Sequence, residues 1–430
     1  MPEDHAALAE SEWLSLVTAR VRDALLDPPA PASATLAVHE VARCNLVEIH
    51  PDAELFEALA LMLRRGVDRL LVRDGAQRLG VLGPADVMSF IANHSQIVAR
   101  QIDAAANLAD LTAAGARIDA MVALLHAGGT PVERIARRVG ELNARLFARL
   151  WSLLAPQALV ENSCLIVMGS EGRGEQIVKT DQDNALLLRD GFEPADLGAI
   201  TVRFNAALAA LGYPPCPGDI MLTNPLWCQP LAAFRAKLGD WIYAADADGP
   251  MHLAIFLDAL TVAGDASLLH DARDHLDHIL AGSDAFLARF AAAADQFDDA
   301  SHWWSRWTPR RDDTPLDLKK LGTFPIVHGA RALALQHRVR APGTVERLRE
   351  LVACGVLEPE LTRDLIDALH CLMALKLAHQ LAARGAGQVP DNLVRPADLG
   401  TFERDALHVA LAIVKRFRVL LAQRFRLDAL

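Results

Sequence analysis

The stretch Leu165–Leu188, LIVMGSEGRGEQIVKTDQDNALLL, holds the residues best suited to chemistry. Asp181 and Asp183 stand two apart, just ahead of the apolar run Ala185–Leu188. In extended backbone, residues i and i+2 point to one face, so the pair aims two carboxylates at one spot. Paired carboxylates suit Mg²⁺, a hard cation that takes oxygen ligands and keeps substrate phosphates in its shell. Upstream, Gly169-Ser170 follows a second apolar run, Leu165–Met168, and offers backbone N–H groups and a hydroxyl to such phosphates. Gly172 and Gly174 keep the loop between them permissive. The elements that must position these groups are two short strands, one on each side of the loop.

Strand, Gly-Ser, spacer, Asp-x-Asp, strand resembles the signature of the DNA polymerase beta-type nucleotidyltransferases. The fuller string, with Arg173, Glu175, Gln176 and Thr180-Asp181-Gln182-Asp183-Asn184, resembles the bacterial signal-transduction branch related to the PII-protein uridylyltransferases. Those proteins carry CBS modules upstream and a helical substrate-binding domain downstream. The combined motif is specific, whereas a lone Gly-Ser or a lone Asp-x-Asp is not. The resemblance implies transfer of an NMP from an NTP to a hydroxyl of a protein acceptor, with release of pyrophosphate. Asp181 and Asp183 are then expected to hold two Mg²⁺ (or Mn²⁺) ions. The Gly169 backbone and Ser170 are expected on the β/γ-phosphates, with Arg173 assisting them or pairing with Glu175. Relatives place a third carboxylate on a neighbouring strand, and Asp258, at the end of the apolar run Leu253–Asp258, matches that position, which implies that it shares one metal ion and helps activate the acceptor hydroxyl. Asp219, in a Pro/Gly loop, is the alternative third acid. Relatives often carry an arginine two residues beyond the third acid, where this chain has Leu260.

Composition bounds the function. The chain has 430 residues, 52% of them hydrophobic, which is enough for several domains. Its formal net charge of −11 argues against a nucleic-acid binder, which needs a basic face. Six cysteines show no CxxC pair and no zinc spacing, and they read as reduced thiols. The acidic opening MPEDHAALAESEW lacks the features of a secretory signal, and no run of roughly 18 apolar residues is present. A cytoplasmic protein without a membrane span is expected.

Taken in order, residues 1–35 read as an amphipathic helix, with Leu8, Trp13, Leu16, Val17, Val21 and Leu25 on one stripe, stopped by a proline-rich linker. Residues 36–95 resemble one CBS module: a strand at Val47–Ile49, a helix from Asp52 to Arg65 ended by Gly66, strands at 70–72 and 79–82, then a further helix. The CBS pattern is Gly, two residues, Ser or Thr, two residues, Asp. This chain keeps Asp86, the candidate ligand for an adenine nucleotide, but has Gly83 where the hydroxyl belongs. Such modules work in pairs, which implies a homodimer or a first repeat eroded into residues 14–40. Packing and dimerisation are therefore expected of this module ahead of nucleotide sensing.

Residues 96–156 read as a helical hairpin broken at Gly128-Gly129-Thr130-Pro131, a candidate relay between the modules. Residues 157–300 form the expected nucleotidyltransferase domain. Trp303, Trp304 and Trp307 open residues 301–430, the expected helical substrate-binding domain, as an interdomain staple. In that domain Lys319 and Lys320 are candidate triphosphate contacts. The expected fold class is thus α/β multidomain and mostly helical, with an α+β CBS module, a polymerase beta-type core and a C-terminal helical bundle. Two rival readings stand: a regulatory or scaffold protein that binds nucleotide without turnover, and a small-molecule transferase of the aminoglycoside-modifying kind.

Overall fold

The computed structural model describes residues 47–53, 55–244, 248–280, 284–292 and 314–427, with backbone alone at 56 and 88–94. The expected N-terminal helix and linker (1–35), the eroded repeat and the tryptophan staple all lie outside the described residues. The fold divides into two compact units, one ending at Arg138 and one starting at Val139.

In the first unit, strands β1 (Glu48–Ile49), β2 (Leu70–Asp74) and β3 (Gln77–Leu82) form a sheet in that order, parallel and then antiparallel. Helix α1 (Leu55–Arg65) connects β1 to β2 and buries Leu55, Ala58, Leu59 and Met62, the 3.6-residue stripe legible in its sequence. Gly66 ends it at φ +60°, a backbone that side chains resist. Helices α2 (Pro84–Ala104) and α3 (Leu108–Ala127) follow and pack together. Helix α4 (Val132–Leu154) carries the boundary between the units within its length.

After α4 the second unit continues with a one-turn helix, α5 (Gln157–Glu161), and then builds a four-stranded mixed sheet. Its strands are β4 (Ser163–Val167), β5 (Asn184–Leu188), β6 (Cys228–Pro230) and β7 (Leu260–Gly264), in the order β6-β5-β4-β7. Strands β4 and β5 pair antiparallel at the centre, and every residue of both is buried, which is why they read as unbroken apolar runs. Between them lies a short helix, α6 (Gly169–Gly172). Helices α7 (Leu197–Ala210), α8 (Leu231–Tyr243), α9 (Gly249–Phe256) and α10 (Ser267–Ile279) complete the core. Trp227, Phe234, Trp241 and Phe256 pack ring to ring within it.

The run ending at Asp258, expected as a strand, is helix α9. A continuous apolar run cannot by itself separate a buried helix from a buried strand. The deciding signal was Gly249-Pro250, with a proline in the first turn, where its missing N–H costs nothing. Asp258 therefore sits in the turn between α9 and β7.

The remainder is helical: α11 (Asp284–Ala292), α12 (Phe324–His337), α13 (Thr344–Ala353), α14 (Pro359–Gly385) and α15 (Thr401–Phe425). A two-stranded ribbon, β8 (Leu316–Asp317) with β9 (Leu393–Val394), interrupts the expected all-helical stretch. Residues Lys319–Thr323 then form a wide turn with π-helical bonding. Helix α14 is long and apolar enough to cross a membrane by length and composition, but it packs against α13 and α15 and buries Leu361, Leu365, Leu369 and Leu372.

Gly172 shows how tightly the core is closed. A Cβ there would lie 2.0 Å from the carbonyl oxygen of Asp258 and 2.8 Å from that of Val167, and neither backbone can yield cheaply. Gly172→Ala is expected to lower the melting temperature by about 5–15 °C, on the scale of a buried clash costing a few kcal/mol. Gly198→Ala, in open space on α7, should leave it unchanged or slightly raised. Paired thermal unfolding curves check this.

Candidate active site

The loop from Met168 to Asn184 is fixed from both ends. Met168 N–H donates to the carbonyl of Asp183 (2.9 Å), and Gly169 turns the chain at φ +59°. A Cβ on Gly169 would fall 2.3 Å from Asp183 Oδ2, so only glycine leaves that carboxylate room. Asp181–Asp183 lie just before β5, not in a strand, yet the segment is extended. Its alternation holds: Asp181 and Asp183 line a large cavity while Gln182 and Asn184 point into the core.

Gln182 is buried and uses its whole side chain. Its Nε2 donates to the carbonyls of Asn205 (3.2 Å) and Tyr213 (3.1 Å), and its Oε1 accepts from Asn205 Nδ2 (2.5 Å). Asn184 Oδ1 accepts from Asn205 Nδ2 and from the N–H of Leu222. This amide network was missed in the sequence, where Gln182, Asn184 and Asn205 are ordinary polar residues.

Cys216 was also missed. One donor atom each from Asp181, Asp183 and Cys216 lies within 4.8 Å of the others. Burial pushes the Asp183 carboxyl up to about 6, and the charge of Asp181 adds to it, while the Cys216 thiol, Lys319 and Arg173 oppose it. No cation stands within ion-pair distance of Asp181 or Asp183 among the described residues. A half-buried carboxylate pair with no ion-pair partner is costly, and it fits a divalent cation.

Asp258 is placed differently from its expected role as third metal ligand. It is fully buried, and three guanidiniums take up its carboxylate. Arg173 Nη1 donates to Oδ2 (2.5 Å), Arg331 Nε and Nη2 to Oδ1 and Oδ2 (3.2 and 2.5 Å), and Arg347 Nη1 to Oδ1 (2.9 Å). Burial alone would raise its pKa, but Arg331, Arg173 and Arg347 outweigh this and hold the carboxyl far below the usual range. A carboxylate so occupied is a poor cation ligand. Asp219, the alternative, is exposed and outside the Asp181–Asp183–Cys216 group.

The other candidates divide. Ser170 lines the cavity and donates its hydroxyl to Gln176 Oε1 (2.8 Å). Arg173 lines it too, but Nε is bound to Glu175 (2.6 Å) and Nη1 to Asp258. Glu175 lies outside the lining, with one oxygen on Arg173 and the other accepting from the N–H of Thr344 (2.9 Å), the start of α13. It is a strut between core and helical domain. Lys319 faces the cavity and Lys320 does not line it. Lys376 of α14, unremarked in the sequence, does, and burial together with Lys319 and Arg173 lowers its pKa to about 8. The cavity measures about 1230 Å³ and runs from the acidic pair to these helical-domain cations. In the first unit, Asp86 Oδ2 accepts from the N–H of Gly83 (2.8 Å), so the candidate nucleotide ligand caps its own helix α2.

Residues 116–248 match a family described as "Putative nucleotidyltransferase DUF294", and residues 284–425 match one described as "Putative nucleotidyltransferase substrate binding domain". Residues 38–93 match the CBS domain. The chain belongs to the CBS-containing DUF294 nucleotidyltransferase family. No curated protein matches it. The DUF294 match begins within α3 and takes in the acidic pair, Gln182 and Cys216. The substrate-binding match supplies Arg331, Arg347, Lys319 and Lys376. The cavity is therefore walled by both matched parts.

His328 links this site to stability. Its ring lies between Phe290 and Phe324, at 4.9 and 5.4 Å between centroids. Nε2 meets the carbonyl of Phe290 (2.7 Å) and Nδ1 meets Arg331 Nη1 (3.2 Å), which fixes the neutral Nε2–H tautomer. Burial, with Arg331, lowers its pKa to about 4. The unfolded chain, at about 6.5, takes the proton first, so this contribution is present above pH 6.5 and is lost as pH falls toward 4, by about 3 kcal/mol at most. Glu171, whose carboxyl burial raises to about 8, and Asp183 shift stability the opposite way in this window. The difference between wild type and His328→Gln in urea midpoints at pH 7 and pH 4.5 isolates the histidine, and it should shrink at the lower pH.

Asp258→Asn would strand three buried guanidiniums around a neutral amide, which is expected to cost about 3–5 kcal/mol in urea unfolding. Mn²⁺ affinity of the folded fraction should be kept. Full stability with lost Mn²⁺ affinity would make Asp258 a ligand after all.

Proposed function

We propose that the chain transfers an NMP from an NTP to a hydroxyl of a protein acceptor, as PII-protein uridylyltransferases do, in a Mg²⁺- or Mn²⁺-dependent reaction. The observation that carries this is the carboxylate pair Asp181–Asp183, without an ion-pair partner among the described residues, at one end of a cavity whose other wall supplies Lys319 and Lys376. A nucleoside triphosphate with bound divalent cations complements that distribution: cations toward the carboxylates, phosphate oxygens toward the lysines.

In this reading the acceptor oxygen attacks the α-phosphorus, the bond from α-phosphorus to bridging oxygen breaks, pyrophosphate leaves and the hydroxyl proton goes to solvent. Asp181 and Asp183 would hold two divalent ions, which neutralise phosphate charge and orient attacking and leaving oxygens. Gly169 keeps the approach to Asp183 open, and Ser170, oriented by Gln176, offers a hydroxyl to the phosphates. Lys319 and Lys376 act as fixed point charges for the departing pyrophosphate. Asp258 takes no part in the chemistry and instead fixes Arg173 and Arg331 at the cavity wall.

The CBS module is the regulatory part of this proposal. An adenine nucleotide is its expected ligand, homodimerisation its expected assembly and the cytoplasm the expected compartment. A second reading, NTP binding without turnover, draws on the withdrawal of Asp258 from the metal site.

The test is label transfer. The full chain is incubated with each α-labelled NTP, Mg²⁺ or Mn²⁺, and lysate of its own organism. A labelled protein band is expected, and Asp183→Asn should abolish it while leaving the circular dichroism spectrum unchanged. Intact NTP binding with neither band nor pyrophosphate release would favour the second reading.

A further inference from the structure

The third donor beside the acidic pair is a sulfur. We propose that Cys216 Sγ is a ligand of the divalent cation held by Asp181 and Asp183, making a mixed carboxylate–thiolate centre that takes Mn²⁺, Co²⁺ or Zn²⁺ in preference to Mg²⁺. This rests on the nucleotidyltransferase reading of the same site and deepens it.

The geometry is built, not incidental. One donor atom from each of the three residues lies within 4.8 Å of the others. A single buried residue, Gln182, sets all three positions. It stands between the two aspartates in the chain, and it binds the loop that delivers the cysteine. Its N–H donates to the carbonyl of Pro214 (3.0 Å), its Nε2 to that of Tyr213, and it forms a β-bridge with Pro215. That loop, Tyr213-Pro214-Pro215-Cys216-Pro217-Gly218, has three prolines with fixed φ. It closes through the N–H of Asp219 on the carbonyl of Cys216 (2.9 Å), with Asp219 itself held at φ +55°. A non-glycine residue in that region is uncommon, and its presence beside the cysteine marks a tightly specified turn.

Two further observations point to a cation rather than to packing. Asp183 has no ion-pair partner among the described residues, and the donor atoms nearest it within 4.8 Å are those of Asp181 and Cys216 in the same group. Gly169 leaves open the space over Asp183 Oδ2 that any side chain would fill. Meanwhile Asp258, the acid otherwise available, is taken up by three guanidiniums. The site thus offers two carboxylates and one thiol, not three carboxylates. Ligand softness decides the consequence. Mg²⁺ demands oxygen, whereas a thiolate is accepted by Mn²⁺ and increasingly by Co²⁺ and Zn²⁺. On coordination the S–H bond breaks, the sulfur–metal bond forms and one proton passes to solvent.

Anaerobic titration of the full chain with Co²⁺, followed by absorption, tests this without reference to activity. A sulfur-to-cobalt charge-transfer band in the near ultraviolet is expected. In Cys216→Ser the band should vanish and Co²⁺ affinity should fall by at least about tenfold. Cys216→Asp should lose the band, keep binding and shift preference toward Mg²⁺, and its binding shows that the loop still folds. Asp183→Asn should abolish binding. Co²⁺ bound without the band in wild type, or a band that persists in Cys216→Ser, overturns the thiolate ligand and leaves the nucleotidyltransferase reading standing. Failure of wild type to bind Co²⁺, Mn²⁺ or Mg²⁺ overturns both.

Discussion

A single buried negative charge organises the second unit. Asp258 sits in the turn between α9 and β7, and the guanidiniums that surround it come from three places: the loop after α6, helix α12 and helix α13. A lone aspartate taken out of water is costly, and so are three arginines. Together, with Arg347 Nη2 also on the carbonyl of Leu257 (2.6 Å) and Glu175 on Arg173, most of their donors and acceptors are met. The cluster holds only when the helical domain is docked on the core. It therefore couples docking of the helices to the shape of the cavity, because Arg173 and Arg331 line it.

A second, neutral network does for the acidic pair what Asp258 does for the domains. Gln182, Asn184 and Asn205 face inward and hydrogen-bond to one another and to nearby backbone groups. Asp181 and Asp183 are left facing the cavity. A period of two thus separates core-facing amides from cavity-facing carboxylates within four consecutive residues. Since Gln182 also anchors the 213–218 loop, position along the chain and position in space are tied by the same side chain.

The cavity that results is electrostatically divided. One end carries carboxylates without an ion-pair partner among the described residues, and the helical wall carries Lys319, Lys376 and Arg331. Such a division is unfavourable in the isolated protein and becomes favourable with a ligand that brings cations and anions together. A nucleoside triphosphate with divalent ions, the ligand usual for nucleotidyltransferases, would supply both.

The sequence by itself determined the central strands, the acidic pair and the Gly-Ser loop, because unbroken apolar runs, paired carboxylates and glycine all report on local physics. It also determined the amphipathic helices of the first unit and of the bundle, whose stripes are visible without contacts. It misread Leu253–Asp258, since an apolar run has no period to tell helix from strand. Three things were decided by tertiary structure alone. Asp258 became the anchor of an ion cluster because arginines 73 and 89 residues away in the chain converge on it. Cys216 joined the acidic pair because a proline-rich loop folds back against Gln182. Lys376 reached the cavity because α14 crosses the domain behind Lys319. Charge pairing across such separations depends on where helices dock. That is set by the burial of many side chains at once and by no local pattern.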